Sequence, residues 1–232
     1  MLATAPNPTH ALTRGRWRPA DCLADIPMFV PGGDPNTCFD WTLQGNAMSF
    51  VNTTTLDAGV RFFNSAGNGY GVTPDIAVGD AFTVVLFDFK TLLPGGTTAP
   101  VIWSLATEPP GTNADGLCFF WLGGNVGYYV GDETKNSAVA AADFNAGFRS
   151  FAWTVYYVAG SIMQEFADGV PQTPRSPSAD HCAVTQPLRI AYPHTLFGSF
   201  NEQAHVYCSR AQVYDRRLTD REILALHRQG GR

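Results

Sequence analysis

The chain has 232 residues, of which 45% are hydrophobic and only 15% are charged, and it contains 23 glycines and 16 prolines. This length suits one large β domain or two small ones, and the composition favours an all-β sandwich or barrel over a helical or disordered protein. A formal net charge of −5 argues against nucleic-acid binding, which usually requires a basic domain.

The start of the chain and the cysteines predict synthesis in a cytoplasm. Neither a basic start nor an apolar run of about 7–15 residues, as a secretory signal needs, occurs in MLATAPNPTHALTRGRW. No apolar stretch approaches the roughly 20 residues of a membrane helix. The five cysteines are widely spread without a CxxC pair, so reduced thiols are expected, with a Cys22–Cys38 bridge as the alternative.

Residues 1–40 are predicted to form an extended N-terminal arm before the folded domain, which is predicted to span 41–232. The segment contains six prolines, which remove backbone donors and disfavour packed regular elements. Two interpretations stay open. The arm lies over the surface of its own domain, or it docks on a neighbouring subunit through a basic cluster that consists of Arg14, Arg16, Trp17 and Arg18.

From residue 41 onward, short apolar runs alternate with turn signals. The strongest strand is predicted for Gly79–Lys90, whose two faces are both apolar, as in a strand covered on both sides. Hairpins are predicted around Gly123-Gly124-Asn125 and Ala159-Gly160, and a tight turn at Asp168-Gly169. Roughly ten to thirteen strands with short spacings indicate an antiparallel sandwich.

The chain ends in a predicted helix over about 219–229, within YDRRLTDREILALHRQGG. Thr219 and Glu222 have the spacing of a capping box, and Leu218 and Ile223 that of a hydrophobic staple. A glycine, Gly230 or Gly231, is expected to end the helix. Because so short a helix is marginal in isolation, we expect it to pack on the sandwich.

These pieces follow the order found in laminin G-like, concanavalin A-like jelly-roll domains. The opening of such domains is similar to our segment VRFFNSAGNGYGVTPDIAVGDAFTVVLFDFK, and their middle hairpin is similar to FRSFAWTVYYVAGSIMQEFADGV. Their C-terminal part is similar to PLRIAY followed by AHVYCSRAQVYDRRLTDREILALHRQGG. The resemblance spans about Phe50–Gly231 and implies a two-sheet antiparallel jelly-roll sandwich. Because this fold serves lectins, glycan hydrolases, adhesion modules and virion proteins, it does not select one activity.

Hydrolytic sites are not predicted. Glucanases on this sandwich use paired carboxylates, and the Glu-x-Asp-x-Glu pattern of the laminarinase-like branch does not occur here. The pairs Asp132-Glu133 and Glu165 with Asp168 are interpreted as solvated turn acids. The sequence Asp180-His181-Cys182 lies in a Pro/Ser-rich loop and is not expected to be catalytic, because nucleophile and base seldom converge from adjacent residues.

Ligand sites are only weakly indicated. Domains of the family that the chain resembles often bind calcium through loop carboxylates. The only candidates here are Asn113 and Asp115, whose side chains are expected to bond turn backbone, so no cofactor is predicted. For glycan binding, the adjacent Tyr128 and Tyr129 are candidates, because one of two neighbours on a strand should face outward. Trp153 is expected in the core.

The sequence as a whole predicts a non-enzymatic structural protein of a virion, synthesised in the host cytoplasm and located at the virion surface. It would decorate a capsid or form part of a tail or fibre. The predicted partners are capsid or tail subunits and further copies in a homo-oligomer, with neither nucleic acid nor membrane. The alternative is a glycan-binding adhesion module that contacts a host-surface glycan, and a polysaccharide hydrolase is the third class.

Overall fold

The computed structural model describes residues 18–28, 34–56, 59–63, 69–92, 100–107, 114–122, 125–131, 133–156, 162–176, 183–192 and 204–230. Within these residues lie seventeen strands and two α-helices. The strands are β1 (Cys22–Pro27), β2 (Thr37–Cys38), β3 (Met48–Val51), β4 (Thr53–Thr55), β5 (Arg61–Phe63), β6 (Tyr70–Val78), β7 (Ala81–Leu92), β8 (Val101–Ala106), β9 (Ala114–Leu122), β10 (Asn125–Gly131), β11 (Glu133–Asn136), β12 (Phe148–Tyr156), β13 (Ile162–Ala167), β14 (Val170–Pro171), β15 (Val184–Ile190), β16 (His205–Cys208) and β17 (Arg210–Tyr214). The helices are α1 (Ala141–Ala146) and α2 (Asp220–Gln229).

The strands form two antiparallel sheets that pack face to face as a jelly-roll sandwich, which confirms the predicted fold class. The first sheet has nine strands in the order β14-β13-β12-β7-β16-β5-β4, and β17 adds a branch by pairing with both β7 and β1. The second sheet has eight strands in the order β11-β10-β9-β8-β15-β6-β3-β2. The sheets share one core, to which their inner faces contribute alternate residues.

Strand β7 organises the first sheet. It covers the predicted doubly apolar strand, and its central residues are buried on both faces, with Val84 on the inner face and Val85 and Phe87 on the outer face. Along one edge β7 pairs with β12; along the other it pairs first with β17 and then with β16. The change of partner coincides with Asp88, which has a positive φ of 46°, and with a bond from the Ser209 amide to the carbonyl of Phe87 at 2.9 Å. This is the geometry of a bulge.

The core between the sheets is centred on aromatic rings. The ring centroid of Trp153 lies 4.9 Å from that of Trp103 and 4.8 Å from that of Phe119. Helix α1, which the sequence did not predict, adds Phe144, whose centroid lies 5.5 Å from that of Phe119. Trp153 is fully buried, so its predicted place in the core is confirmed.

The terminal helix is present as predicted. The Thr219 hydroxyl accepts from the Glu222 amide and the Glu222 carboxylate accepts from the Thr219 amide, which completes the capping box. Bonds from the Arg216 guanidinium lower the pKa of Glu222 to about 2. Gly230, with φ 71°, ends the helix. Helix α2 packs on the outer face of the first sheet in a cluster with Val85, Phe87, Leu218, Ile223 and Leu226 among its members.

The predicted arm boundary at residue 40 is too late. Strand β1, at residues 22–27, pairs with β17 and is largely buried, so this part of the segment belongs to the sandwich. On its outer side Asp25 receives two bonds from Arg210, from Nε at 2.6 Å and Nη2 at 2.7 Å. Both side chains are only 2% exposed. The proline content does not exclude a strand here, because within the described residues β1 pairs only with β17, and a proline such as Pro27 is tolerated on an edge strand. Residues 1–17 lie outside the described residues.

The predicted hairpins agree with the strand pairing where they can be followed. Strands β9 and β10 pair, as do β12 and β13, while Gly123, Gly124 and 159–160 lie outside the described residues. Asp168 and Gly169 both have positive φ, 50° and 78°, as a tight turn between β13 and β14 requires. Within the described ranges, no helix has the length and apolar character needed to cross a bilayer.

The Asp25–Arg210 pair yields a test of what holds β1 in place. We expect Arg210→Met to lower the free energy of unfolding by roughly 3–5 kcal/mol, because it leaves a carboxylate buried beside an apolar side chain. Adding Asp25→Leu should recover most of this loss, since it removes the stranded charge. Urea denaturation of both variants measures the effect.

The matched control is Arg221→Gln, which removes an exposed arginine from α2 and should change stability by no more than about 0.5 kcal/mol. If Arg210→Met is no more harmful than this control, the pair does not anchor β1.

Candidate functional site

The predicted docking cluster falls mostly outside the described part of the chain, since Arg14, Arg16 and Trp17 lie there. Arg18 is described, and its guanidinium bonds the carbonyl of Trp41 at 3.1 Å and the Asp25 carboxylate at 3.4 Å. Its side chain is 35% exposed. In this structure Arg18 therefore contacts its own domain, and docking on another subunit through the cluster stays a prediction.

The two tyrosines predicted to bind glycan, Tyr128 and Tyr129, point to opposite faces of the sheet, as neighbours on a strand do. Tyr128 is fully buried in the core between the sheets, so its candidacy as a glycan-binding surface is wrong. Tyr129 points the other way, is half-buried, and lies with its ring centroid 6.2 Å from that of Phe120. Only Tyr129 of the two can meet a ligand.

The calcium candidates do not converge on further ligands. Asn113 lies outside the described residues. Asp115 is half-buried in β9, where its amide donates to the Thr107 hydroxyl at 3.1 Å and its carbonyl accepts from the Thr107 amide at 3.0 Å. Among the residues that the structure describes, no three His, Cys, Asp or Glu side chains gather as a metal site would require. Calcium binding by Asn113 and Asp115 stays untested.

Glu165 is not the solvated turn acid that the sequence suggested. Its side chain points into the sandwich and the residue is 1% exposed. The Ser137 hydroxyl donates to the carboxylate at 2.8 Å and the Ala138 amide donates at 2.6 Å. Burial raises the pKa of Glu165 above its ordinary value, despite these bonds and the nearby Arg175. A carboxyl group enclosed in this way fixes the 137–139 segment and does not meet a substrate.

Ser150, His227 and Asp168 form a cluster that superficially resembles a catalytic triad. The Ser150 hydroxyl lies 3.0 Å from His227 Nδ1, and the Asp168 carboxylate lies 3.9 Å from the same nitrogen. A working relay needs the serine and the carboxylate on opposite ring nitrogens. Ser150 is also only 3% exposed. The cluster therefore ties α2 to β12 and to the turn between β13 and β14.

The described thiols are structural. Cys22 and Cys38 are free and buried, so the alternative bridge between them does not form. Burial raises the pKa of Cys22, Cys38 and Cys208 to about 12, which keeps these thiols protonated and unreactive. Asp132 and 180–182 lie outside the described residues, as does the side chain of Glu133.

Among the described residues, one aromatic surface lies where the sequence did not point. We call it the outer aromatic row: Phe62 of β5 with His205 and Tyr207 of β16, all half-buried on the outer face of the first sheet. The rings of Phe62 and Tyr207 are stacked with centroids 4.6 Å apart, and His205 lies 5.6 Å from Phe62. The ammonium of Lys90 lies 5.8 Å from the centre of the Tyr207 ring.

A groove of about 620 Å³ adjoins the row at Lys90. It lies between β7, the turn that joins α1 to β12, and the end of α2. Its polar lining consists of Asp88, Lys90, Arg149 and Gln229. Lys90 connects the two, because it lines the groove and its ammonium lies near the Tyr207 ring. Aromatic faces beside a few polar groups are what small-ligand sites require.

The sequence contains a signal for part of this row. His205 and Tyr207 are two residues apart in AHVYC and alternate with buried Val206 and Cys208, so both must face outward. Phe62 follows the same rule beside buried Arg61 and Phe63. What the sequence could not supply is the pairing of Phe62 with Tyr207 across β5 and β16.

Comparison with known proteins shows the fold alone. No family model and no curated protein matches the sequence. Among solved structures, the chain is similar to the binding domain of Paraclostridial Mosquitocidal Protein 1, with TM-score 0.65 and 9% identity over 90% of this chain. It is also similar to the binding domain of Botulinum neurotoxin DC in complex with rat synaptotagmin II, with TM-score 0.63 and 9% identity over 90%.

A third similar structure is the Trypanosoma rangeli sialidase in complex with sialic acid, with TM-score 0.61 and 14% identity over 90% of this chain. The chain spans 52% and 51% of the two toxin domains and 33% of the sialidase. These likenesses support the two-sheet sandwich and leave open which surface is functional.

The buried Glu165 predicts a pH-dependent stability. Because its folded-state pKa is raised, its contribution is fully present below the ordinary value near 4.5 and is lost as pH rises through the folded-state value. Each unit by which the folded-state pKa exceeds the unfolded-state pKa corresponds to about 1.4 kcal/mol of unfolding free energy. We therefore expect the unfolding free energy of the wild type, relative to Glu165→Gln, to fall between pH 4 and pH 8.

Urea denaturation across this pH range measures the difference, with Asp75→Asn, an exposed acid on β6, as the matched control. If the unfolding free energy of the wild type relative to Glu165→Gln stays constant or grows with pH, ionisation of Glu165 does not destabilise the folded state.

Proposed function

We propose that the chain is a non-catalytic recognition module that binds carbohydrate on the outer aromatic row and the adjoining groove. The observation that carries the proposal is the stacked, half-buried pair Phe62 and Tyr207 beside Lys90, on a sheet face that α2 leaves uncovered. This surface offers what a sugar needs: an apolar platform for its C–H face and polar groups for its hydroxyls.

The position of the row also favours binding over a purely structural role. Residues that only stabilise a sheet are usually covered, as Val85 and Phe87 are by α2 on the same face. The row stays partly open although rings of this size contribute most when fully buried. Partly exposed aromatic rings are typical of recognition surfaces, where they supply contact area at low entropic cost.

Similar solved structures support a binding role, because their names record binding or a bound molecule. Two of them are named as binding domains of toxins, one in complex with rat synaptotagmin II, and the third is a sialidase in complex with sialic acid. Structures named for binding, or for a complex with a sugar, thus contain a sandwich of this shape. A host-surface molecule is accordingly the partner that we propose for this chain.

The virion prediction stands beside this proposal as a separate one. A recognition module at a virion surface would join both interpretations of the sequence, with the outer aromatic row facing the host. Capsid or tail partners, homo-oligomer formation and synthesis in a host cytoplasm stay predictions from the sequence.

Removal of one ring tests the proposal. We expect Tyr207→Ala to weaken binding of any oligosaccharide that the wild type captures on a glycan array by about tenfold or more, because truncation of a central aromatic contact commonly costs over 1 kcal/mol. Isothermal titration with the captured oligosaccharide gives the affinities.

Two matched variants locate the site. Tyr156→Ala removes another tyrosine, 41% exposed on β12, and should leave affinity unchanged. Tyr129→Ala examines the position that the sequence favoured. If no oligosaccharide binds the wild type, or if Tyr129→Ala abolishes binding while Tyr207→Ala does not, the outer aromatic row is not a carbohydrate site.

A further inference from the structure

Two cations line the groove beside the outer aromatic row, on a chain whose formal net charge is −5. Lys90 lies on β7 and Arg149 on β12, and both line the groove. A glycine with positive φ stands next to each of them: Gly147 with φ 95° beside Lys90, and Gly230 with φ 71° beside Arg149.

Gly147 shapes the lysine side of the groove. A Cβ at this position would come within 3.1 Å of the Lys90 Cβ, so the stem of the lysine lies directly against the backbone of the turn. Its far end reaches toward the Tyr207 ring, whose centre is 5.8 Å from the ammonium. Lys90 therefore stands at the junction of the groove and the outer aromatic row.

Gly230 shapes the arginine side. A Cβ at this position would lie 3.1 Å from Arg149 Nη2, so a larger residue here would press on the guanidinium and require it to shift by a few tenths of an ångström. There Nη2 donates to the carbonyl of Arg228 at 3.4 Å, which is a favourable place for a cation because helix carbonyls end there. Arg149 is exposed, so its remaining donors face the groove side and solvent.

Asp88 is the acid of the groove, and its charge works against an anionic ligand. The Ser209 hydroxyl donates to its carboxylate at 2.6 Å, which holds it at the bulge of β7. The polar lining thus contains two cations and one acid that is bonded to the sheet. The local balance is positive, in contrast to the chain as a whole.

We propose that this groove binds the carboxylate of an acidic oligosaccharide, with Lys90 and Arg149 as its partners and Tyr207 as the platform for the neighbouring sugar. This inference rests on the proposed function and specifies its ligand class. Arginine suits the task because its planar fork matches a carboxylate, and charge-assisted bonds of this kind are about twice as strong as neutral ones.

Titration calorimetry with two probes on the same backbone tests the inference: oligogalacturonate and its methyl ester, which lacks the charge. We expect the wild type to bind the acid at least about tenfold more tightly than the ester, a preference that weakens at high salt. The double variant Lys90→Met with Arg149→Gln should lose the preference while it still binds the ester.

A control that removes the same number of charges elsewhere is Lys135→Met with Arg221→Gln, which should keep the preference. Thermal melting verifies that both double variants are folded. Equal affinity of the wild type for acid and ester, or a preference that survives in the Lys90→Met, Arg149→Gln variant, overturns the inference.

The tests also separate this inference from the proposed function. If a glycan array shows capture of neutral oligosaccharides that depends on Tyr207 while the acid has no advantage, the carbohydrate site stands and its acidic specificity falls. If no oligosaccharide of either kind binds, both proposals fail together.

Discussion

The bulge at Asp88 is the constraint on which the shape of the candidate binding surface depends. Before it, the outer face of β7 presents Val85 and Phe87, which α2 covers. After it, Phe89 returns to the core and Lys90 faces outward. The same break moves the neighbour of β7 from β17 to β16, and so brings Tyr207 beside Lys90. A bulge re-aims side chains in this manner, and the left-handed backbone of Asp88 costs little because aspartate tolerates it.

A second constraint keeps that geometry rigid. Ser209, which opposes the bulge, directly precedes Arg210, whose guanidinium bonds the buried carboxylate of Asp25. The pair joins residues 185 positions apart and holds β1 on β17. Trp41 stacks over the same guanidinium at 5.1 Å, so the segment after β1 is attached to the same point. Buried ion pairs seldom add net stability over apolar residues of similar volume, but removal of one partner leaves the other buried without it, which penalises any arrangement that separates β1 from β17.

The sequence-based predictions agree with the structure where an element depends on neighbouring residues, and they fail where it depends on pairing between distant segments. The capping box of Thr219 and Glu222, the Asp168-Gly169 turn and the two apolar faces of β7 each follow from neighbours in the chain, and all three are present. The strand at 22–27 was missed because its support comes from Arg210 and β17, which are distant in sequence. Glu165 was misplaced for the same reason: a hairpin end is normally solvated, and its burial depends on the segment at 137–139. The outer aromatic row needed both outward alternation, which the sequence shows, and the pairing of β5 with β16, which it does not.

The terminal helix α2 both stabilises the first sheet and borders the candidate site. Its sequence identifies it as an element that packs on the sheet, and Ile223 and Leu226 do so. The length of α2 then decides which part of the outer sheet face stays uncovered, because the helix ends at Gly230, where the backbone makes room for Arg149. One more turn, about 5.4 Å, would carry it farther along the sheet. The helix therefore stabilises the fold through its buried face, and its last residue, Gln229, also forms one rim of the groove at the candidate site. An element that stabilises the fold in this way also sets the limits of the surface that is free to bind.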